Sequence, residues 1–375
     1  MTWFHKAASG LALLCVGLLL LSAIAELPVQ SGLLFVGFLI FFSVAMRVVP
    51  VLRGLSFSVL VIAAVVLALF YPDHIISVGD FRTQRLITPL LQIIMFGMGT
   101  ALSVSDFTRV FSMPKAVFIG MGCQLTIMPI VGLLVALLFR FPPEIAAGVI
   151  LIGCVPGGLA SNVMAYLANG RLALSVTLTA VATVLAPLTT PFLMRIYAGQ
   201  FIEVDAVAMM ITILKIVILP IALGLIVNRL VRGRAEWLHR FMPLLSMAGI
   251  VVILAIMTAA GRDNLLALGL ALLAAGILHN GAGYLLGYWS CRAFRLEEGE
   301  CRTIAFEVGM QNAGLATGIA SELGKAATLG LAAVAFGPWM NVSGSFLAVW
   351  WRSRPPREGA VTPVTDPRDA PAITG

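Results

Sequence analysis

Apolar runs of about 18 residues or more recur from one end of this chain to the other. Each is long enough to cross a bilayer as a helix. The 375 residues are 60% hydrophobic and 11% charged. A soluble domain carries roughly 25% charged residues, so most of this chain sits in lipid rather than around a water-facing core. The net charge of +7 does not point to nucleic acid. The Lys and Arg residues fall in short loops between the runs, where such bias sets topology.

A short apolar run, about 11–25, follows Lys6 and ends Ser22-Ala23-Ile24-Ala25-Glu26. It reads either as a signal peptide or as the first arm of an N-terminal hairpin returning over 31–49. Ten further spans follow, approximately 55–71, 86–104, 115–139, 144–169, 171–197, 207–228, 243–260, 265–290, 300–321 and 326–350. Arg47, Arg53, Arg109, Lys115, Arg171, Arg229, Arg232, Arg234, Arg240, Arg292, Arg295, Arg352 and Arg354 fall on one side. Arg82, Arg85, Arg140, Arg262 and Lys325 fall on the other. The first side is expected to be cytoplasmic, with both chain ends on it. The division expected is a hairpin over 1–54, one repeat over 55–197, a second over 198–351, and a disordered cytoplasmic tail over 352–375.

Two of the spans are interrupted by polar, helix-breaking stretches. One is Gly153-Cys154-Val155-Pro156-Gly157-Gly158-Leu159-Ala160-Ser161-Asn162; the other is Glu307-Val308-Gly309-Met310-Gln311-Asn312-Ala313-Gly314. They match at an offset of 156: Gly153 with Gly309, and Gly158-Leu159-Ala160-Ser161 with Gly314-Leu315-Ala316-Thr317. Glu144 pairs with Glu300, Gly120 with Gly276 and Gln124 with Asn280 in the same register. An odd number of spans separates the copies, so the repeats are inverted. Small residues that favour helix packing explain the glycines, but not Gln124 opposite Asn280. Paired interruptions of this kind mark a transporter's binding site.

Glu307 is the sharpest single residue. A carboxylate inside an apolar span costs several kcal/mol unless it has a partner. That partner is a bound cation, or else a Lys or Arg such as Lys215. Gln311 lies one helical turn on. The break frees backbone carbonyls, and Pro156 with its glycines lets the other helix open as well. Ser161, Asn162, Ser175, Thr179 and Gln124 add further oxygen. The half-helix N-termini after Gly158 and after Gly314 carry partial positive charge and suit an anion. The five cysteines and four histidines show no metal-ligand spacing and no nucleophilic constellation. No Gly-x-Ser-x-Gly or His-Glu-x-x-His motif is present, so the chain is not expected to be an enzyme.

The stretches from Gly153, from Ala173 (Ala-Leu-Ser-Val-Thr-Leu-Thr) and from Glu307 resemble the bile acid:sodium symporter family. So do Leu-Gln-Ile-Ile-Met-Phe-Gly-Met-Gly from Leu91 and Leu-His-Asn-Gly-Ala-Gly-Tyr-Leu-Leu-Gly from Leu278. The resemblance runs from about Leu55 to Trp351 and is strongest to bacterial members. It implies an all-α membrane protein with a ten-helix inverted-repeat fold (five plus five), two broken helices that cross, and panel and core domains. The N-terminal hairpin exceeds that pattern. The resemblance also implies two Na⁺ sites. The first would use Ser161, Asn162, Ser175, Thr179 and Glu307. The second would use Gln124, Glu307 and Gln311, with main-chain oxygens at Val308 and Met310. Gly158, Leu159, Asn312 and Asn341 are expected at the substrate.

The function expected is sodium-coupled symport of a small organic anion by alternating access, across the inner membrane of a cell. No nucleic acid and no obligate protein partner is expected. A proton-coupled or exporting carrier of related fold, such as an arsenite carrier using Cys154, is the alternative. An intramembrane enzyme is a more remote one.

Overall fold

The structure, a computed structural model, describes residues 14–15, 28–46, 53–231 and 236–354. All its principal elements are helices. The first arm of the expected hairpin (Leu14 and Cys15 apart), Arg47, Arg232, Arg234 and nearly all of the expected tail lie outside the described residues.

In chain order the main helices are α1 (Pro28–Met46), α2 (Arg53–Phe70), α3 (Ile87–Ala101), α4 (Pro114–Phe139), α5 (Pro143–Cys154), α6 (Leu159–Leu167) and α7 (Leu172–Tyr197). After these come α8 (Ala206–Val231) and α9 (Glu236–Ala260). The chain continues through α10 (Arg262–Ala293), α11 (Glu298–Gly309), α12 (Ala313–Glu322) and α13 (Leu331–Arg352). A π turn at Leu214–Ile218 interrupts α8. Among the described residues, six helices are long and apolar enough to cross a membrane: α4, α7, α8, Phe241–Ala260 of α9, α10 and α13. The bent pair Thr83–Ala101 and Ser105–Phe111 makes a seventh if counted as one span. The chain is thus an all-α integral membrane protein.

Apolar side chains surround these helices on all sides, as lipid demands. Leu134, Leu138, Leu188, Phe192, Leu270 and Trp289 are exposed, while Leu151, Ile152, Leu174 and Phe306 are fully buried. Helix α3 lies against α8 and α9, and α9 also packs on α2. Helix α10 lies against α4, α11 and α13, and α4 against α5 and α7. Helix α1 runs back along α2, where the Ser43 hydroxyl donates to the Ser56 carbonyl at 2.7 Å and the Ser56 hydroxyl to the Ser43 carbonyl at 2.8 Å.

The interrupted spans are each two short helices. Helix α5 has 12 residues and reaches only about 18 Å, too short to cross the ~30 Å apolar layer alone. Two of the boundaries that differ from the sequence reading have a clear local cause. The second half-helix begins at Ala313, not after Gly314, because Asn312 caps it: its Oδ1 accepts the Leu315 amide at 2.9 Å. The last span begins at Leu331 rather than 326. Gly324, with φ of 68°, ends α12 in the left-handed conformation that a Cβ disfavours. The turns over 323–330 are then tied to α5, because Glu144 accepts from Lys325 Nζ and from the Thr328 hydroxyl, each at 2.5 Å.

Candidate functional site

The two breaks meet each other. Gly157 and Gln311 form an antiparallel bridge. The Gly158 amide donates to the Met310 carbonyl at 3.2 Å, and the Asn312 amide to the Pro156 carbonyl at 2.9 Å. Each break therefore satisfies backbone groups of the other, which lipid could not do. The contact needs glycine. A Cβ on Gly157 would lie 2.8 Å from Glu307 Oε2 and 3.2 Å from the Glu307 carbonyl oxygen.

Around this crossing Ser161, Asn162, Ser175, Thr179 and Glu307 come together in one buried cluster. Glu307, 5% exposed, accepts on Oε1 from Ser161 (2.6 Å) and Ser175 (2.5 Å), and on Oε2 from Thr179 (2.9 Å). Asn162 Oδ1 faces the Ser175 and Thr179 hydroxyls at 2.8 and 3.2 Å. Three elements supply these groups: α6, α7 and α11. Among the described residues no ion pair includes Glu307. Lys215 is exposed on α8, so the Lys215 partnership weighed from the sequence is not formed. The cluster holds one carboxyl group and a dense set of oxygens, a donor set that fits a hard cation.

A second polar group lies on the other side of the crossing. Gln124 Nε2 donates to Gln311 Oε1 at 2.7 Å and to the Val155 carbonyl at 3.0 Å. Gln311 Nε2 donates to the Val308 carbonyl at 2.5 Å. So Gln124, Gln311 and Val308 are together. Two other members of the expected second set are engaged elsewhere. The Met310 carbonyl accepts the Gly158 amide, and the Glu307 carboxylate faces the hydroxyls of α6 and α7.

Three contributors were not among the expected site residues. The Val155 carbonyl closes the Gln124 network. Thr190 donates to the Cys154 carbonyl at 2.9 Å. Asn280 donates to the Gly309 carbonyl at 2.8 Å and accepts from Ser343 at 2.6 Å. Asn280 thus serves the α11 end as Gln124 serves the α5 end, which their shared register already hinted at. Val155 left no such signal, because a main-chain oxygen carries no residue type.

Beside the crossing is a cavity of about 180 Å³. Phe57, Val61, Ile94, Met95, Met98, Ile250 and Leu254 form its apolar wall. Gly158, Leu159, Gln311, Asn312, Thr317 and Asn341 bring polar atoms and the N-terminal ends of α6 and α12. All four expected substrate positions therefore line one space. Among the described residues, none that lines it is charged. The Asn341 Nδ2 donates within its own helix, to the Gly337 carbonyl at 3.1 Å. Cys154 is buried and is not part of the lining.

The sequence is similar to those of known proteins. Residues 88–268 match the profile described as the Sodium Bile acid symporter family. A Bacillus subtilis (strain 168) protein named "Uncharacterized sodium-dependent transporter YocS" is 40% identical over 301 residues, 80% of this chain and 92% of that protein. The chain belongs to the sodium bile acid symporter family. Other relatives are in plants. "Probable sodium/metabolite cotransporter BASS1, chloroplastic" of Oryza sativa subsp. japonica is 34% identical over 311 residues, 81% of this chain and 74% of that protein. Its Arabidopsis thaliana namesake is 35% identical over 269 residues, 72% of this chain and 67% of that protein. These relatives are named transporters rather than enzymes, and this chain is a transporter with them.

Proposed function

We propose that the protein is a sodium-coupled symporter of a small organic anion. The observation that carries this is the Glu307 cage. A buried carboxylate is surrounded by hydroxyl and amide groups, with no cationic side chain paired to it among the described residues. Leaving such a charge uncompensated in a low-dielectric site costs several kcal/mol. A Na⁺ ion supplies the missing charge. The names of the relatives point to the same ion.

One Na⁺ is held by Ser161, Asn162, Ser175, Thr179 and Glu307. A second is held by Gln124, Glu307 and Gln311 with the carbonyls of Val308 and Met310. For that second ion, the Gln124 and Gln311 amides turn away from the carbonyls they now satisfy. The organic anion takes the adjoining cavity. With no charged side chain in its lining among the described residues, the N-terminal amides of α6 and α12 receive the anionic group, beside Gly158, Leu159, Asn312 and Asn341.

The ten spans form two inverted five-helix repeats, 55–197 and 198–351, behind the N-terminal hairpin. Helices α2, α3, α8 and α9 are the panel; α4 to α7 and α10 to α13 are the core. The charge bias puts both chain ends in the cytoplasm and the protein in a cell's inner membrane. On that topology the cavity reaches toward the cytoplasm, since Phe57, Met98 and Ser246 lie in the cytoplasmic halves of their helices. The outer side is closed. Leu91 Cδ2 sits 1.9 Å from where a Cβ of Gly318 would be, and Thr88 bonds Glu322 across the same seam. Moving the core against the panel opens one side as it shuts the other.

Uptake of radiolabelled small carboxylates into proteoliposomes tests the reading. Transport is expected to require an inward Na⁺ gradient, and Glu307→Ala or Gln311→Ala to abolish it in folded protein. Equal uptake in Na⁺-free buffer at a fixed proton gradient would refute the coupling.

A further inference from the structure

The cage is assembled from three helices, and something must set their spacing. On α11, Thr303 is four residues before Glu307 and so on the same face, one turn below it. Its hydroxyl accepts the Arg171 amide at 2.7 Å and donates to the Gly299 carbonyl at 2.8 Å. The Arg171 carbonyl in turn accepts the Ser175 amide at 3.1 Å. A chain of hydrogen bonds thus runs from the helix that bears Glu307 to the residue whose hydroxyl contacts it. Residues 168–171 are the connection between α6, which carries Ser161 and Asn162, and α7, which carries Ser175 and Thr179.

Arg302, 4% exposed, fastens the same connection from beside Thr303. Its Nη1 donates to the Ala168 carbonyl at 3.0 Å and to the Trp351 carbonyl at 3.1 Å. Its Nη2 donates to the Arg354 carbonyl at 2.7 Å, and its Nε to Glu298 Oε1 at 2.8 Å. Three of these hydrogen bonds join α11 to the ends of α6 and α13, and the fourth, to Glu298 within α11, orients the planar fork. Gly170 completes the fit, because a Cβ there would lie 2.7 Å from Thr303 Oγ1.

We propose that Arg302 and Thr303 are positioning residues: their clasp on residues 168–171 holds α6, α7 and α11 at the spacing that gives the Glu307 cage its affinity for Na⁺. Neither residue touches the ion. The proposal rests on the cage being a Na⁺ site.

The test is a titration of purified full-length protein with NaCl at constant ionic strength in choline chloride, following the melting temperature. The wild type gives the half-saturating Na⁺ concentration. Thr303→Val removes the hydroxyl at similar volume. It is expected to raise that concentration about tenfold, the scale of one lost hydrogen bond, and Thr303→Ser to restore it. A clasp that served folding alone would lower the Na⁺-free melting temperature and leave half-saturation where it was. That result in Thr303→Val overturns the proposal. If Thr303→Val does not yield folded protein, Gly170→Ala presses on the same oxygen and carries the same expectation and the same refutation. A wild type whose melting does not respond to Na⁺ at all overturns the Na⁺ reading and the clasp's role together, a result distinct from failure of the clasp alone.

Discussion

Gly157→Ala tests the crossing most directly. The added methyl carbon would sit 2.8 Å from Glu307 Oε2 and 3.2 Å from the Glu307 carbonyl oxygen. Neither neighbour can yield freely. The carbonyl belongs to α11, and the carboxylate is held by the Ser161, Ser175 and Thr179 hydroxyls. Gly157 is outside the left-handed region, so alanine meets no backbone penalty and the whole effect is steric. Overpacking of this kind costs about 1–3 kcal/mol. The strain falls on the cage itself, so it should appear in ion affinity as a loss of about 5- to 150-fold. Calorimetric or thermal-shift titration with NaCl measures it. Gly122→Ala is the control. A Cβ at Gly122, also on a helix of the site, meets nothing within 4 Å, and its Na⁺ response should match the wild type. A folded Gly157→Ala protein that binds Na⁺ like the wild type would refute the claim that this glycine is required by close approach to Glu307.

Two further outcomes are expected. Gln124 and Gln311 are bonded at 2.7 Å, so Gln124→Ala and Gln311→Ala should weaken Na⁺ binding less than additively when combined, by about 0.5–3 kcal/mol in a double-mutant cycle; strict additivity would show that the two amides act apart. Gly318→Leu should hold the outer seam open, since Leu91 already fills the space a side chain would need. A cysteine introduced at Asn312 should then become reactive to a membrane-impermeant maleimide added outside, and continued protection would show that the seam closes elsewhere.

Much of the site was legible from residue type. A carboxylate in an apolar span, polar Gln124 and the Pro-Gly-Gly break are costly in lipid, so each advertises a partner. Residue type alone does not say which hydroxyls face the site, because on a membrane helix such groups commonly bond their own backbone. Thr183 does so, donating to the Thr179 carbonyl at 2.7 Å. The structure separates them by direction: Ser175 and Thr179 point at Glu307, and Thr183 does not. From the sequence, Arg302 is only a cation five residues before Glu307. Its three carbonyl partners lie on chain segments 49 to 134 residues away, which no local pattern encodes.

By itself, the sequence determined that the chain lives in a membrane as helices and that two of its spans break. Composition and period are local properties, and lipid enforces them without reference to the rest of the fold. Only the tertiary structure decided that the two breaks bond to each other, that Glu307 turns toward α6 and α7 rather than toward Gln124, and that Val155 and Met310 present their carbonyls where they do. Main-chain oxygens are the same at every residue. Which of them gather around one point is settled by how the helices pack, not by the names of the residues that carry them.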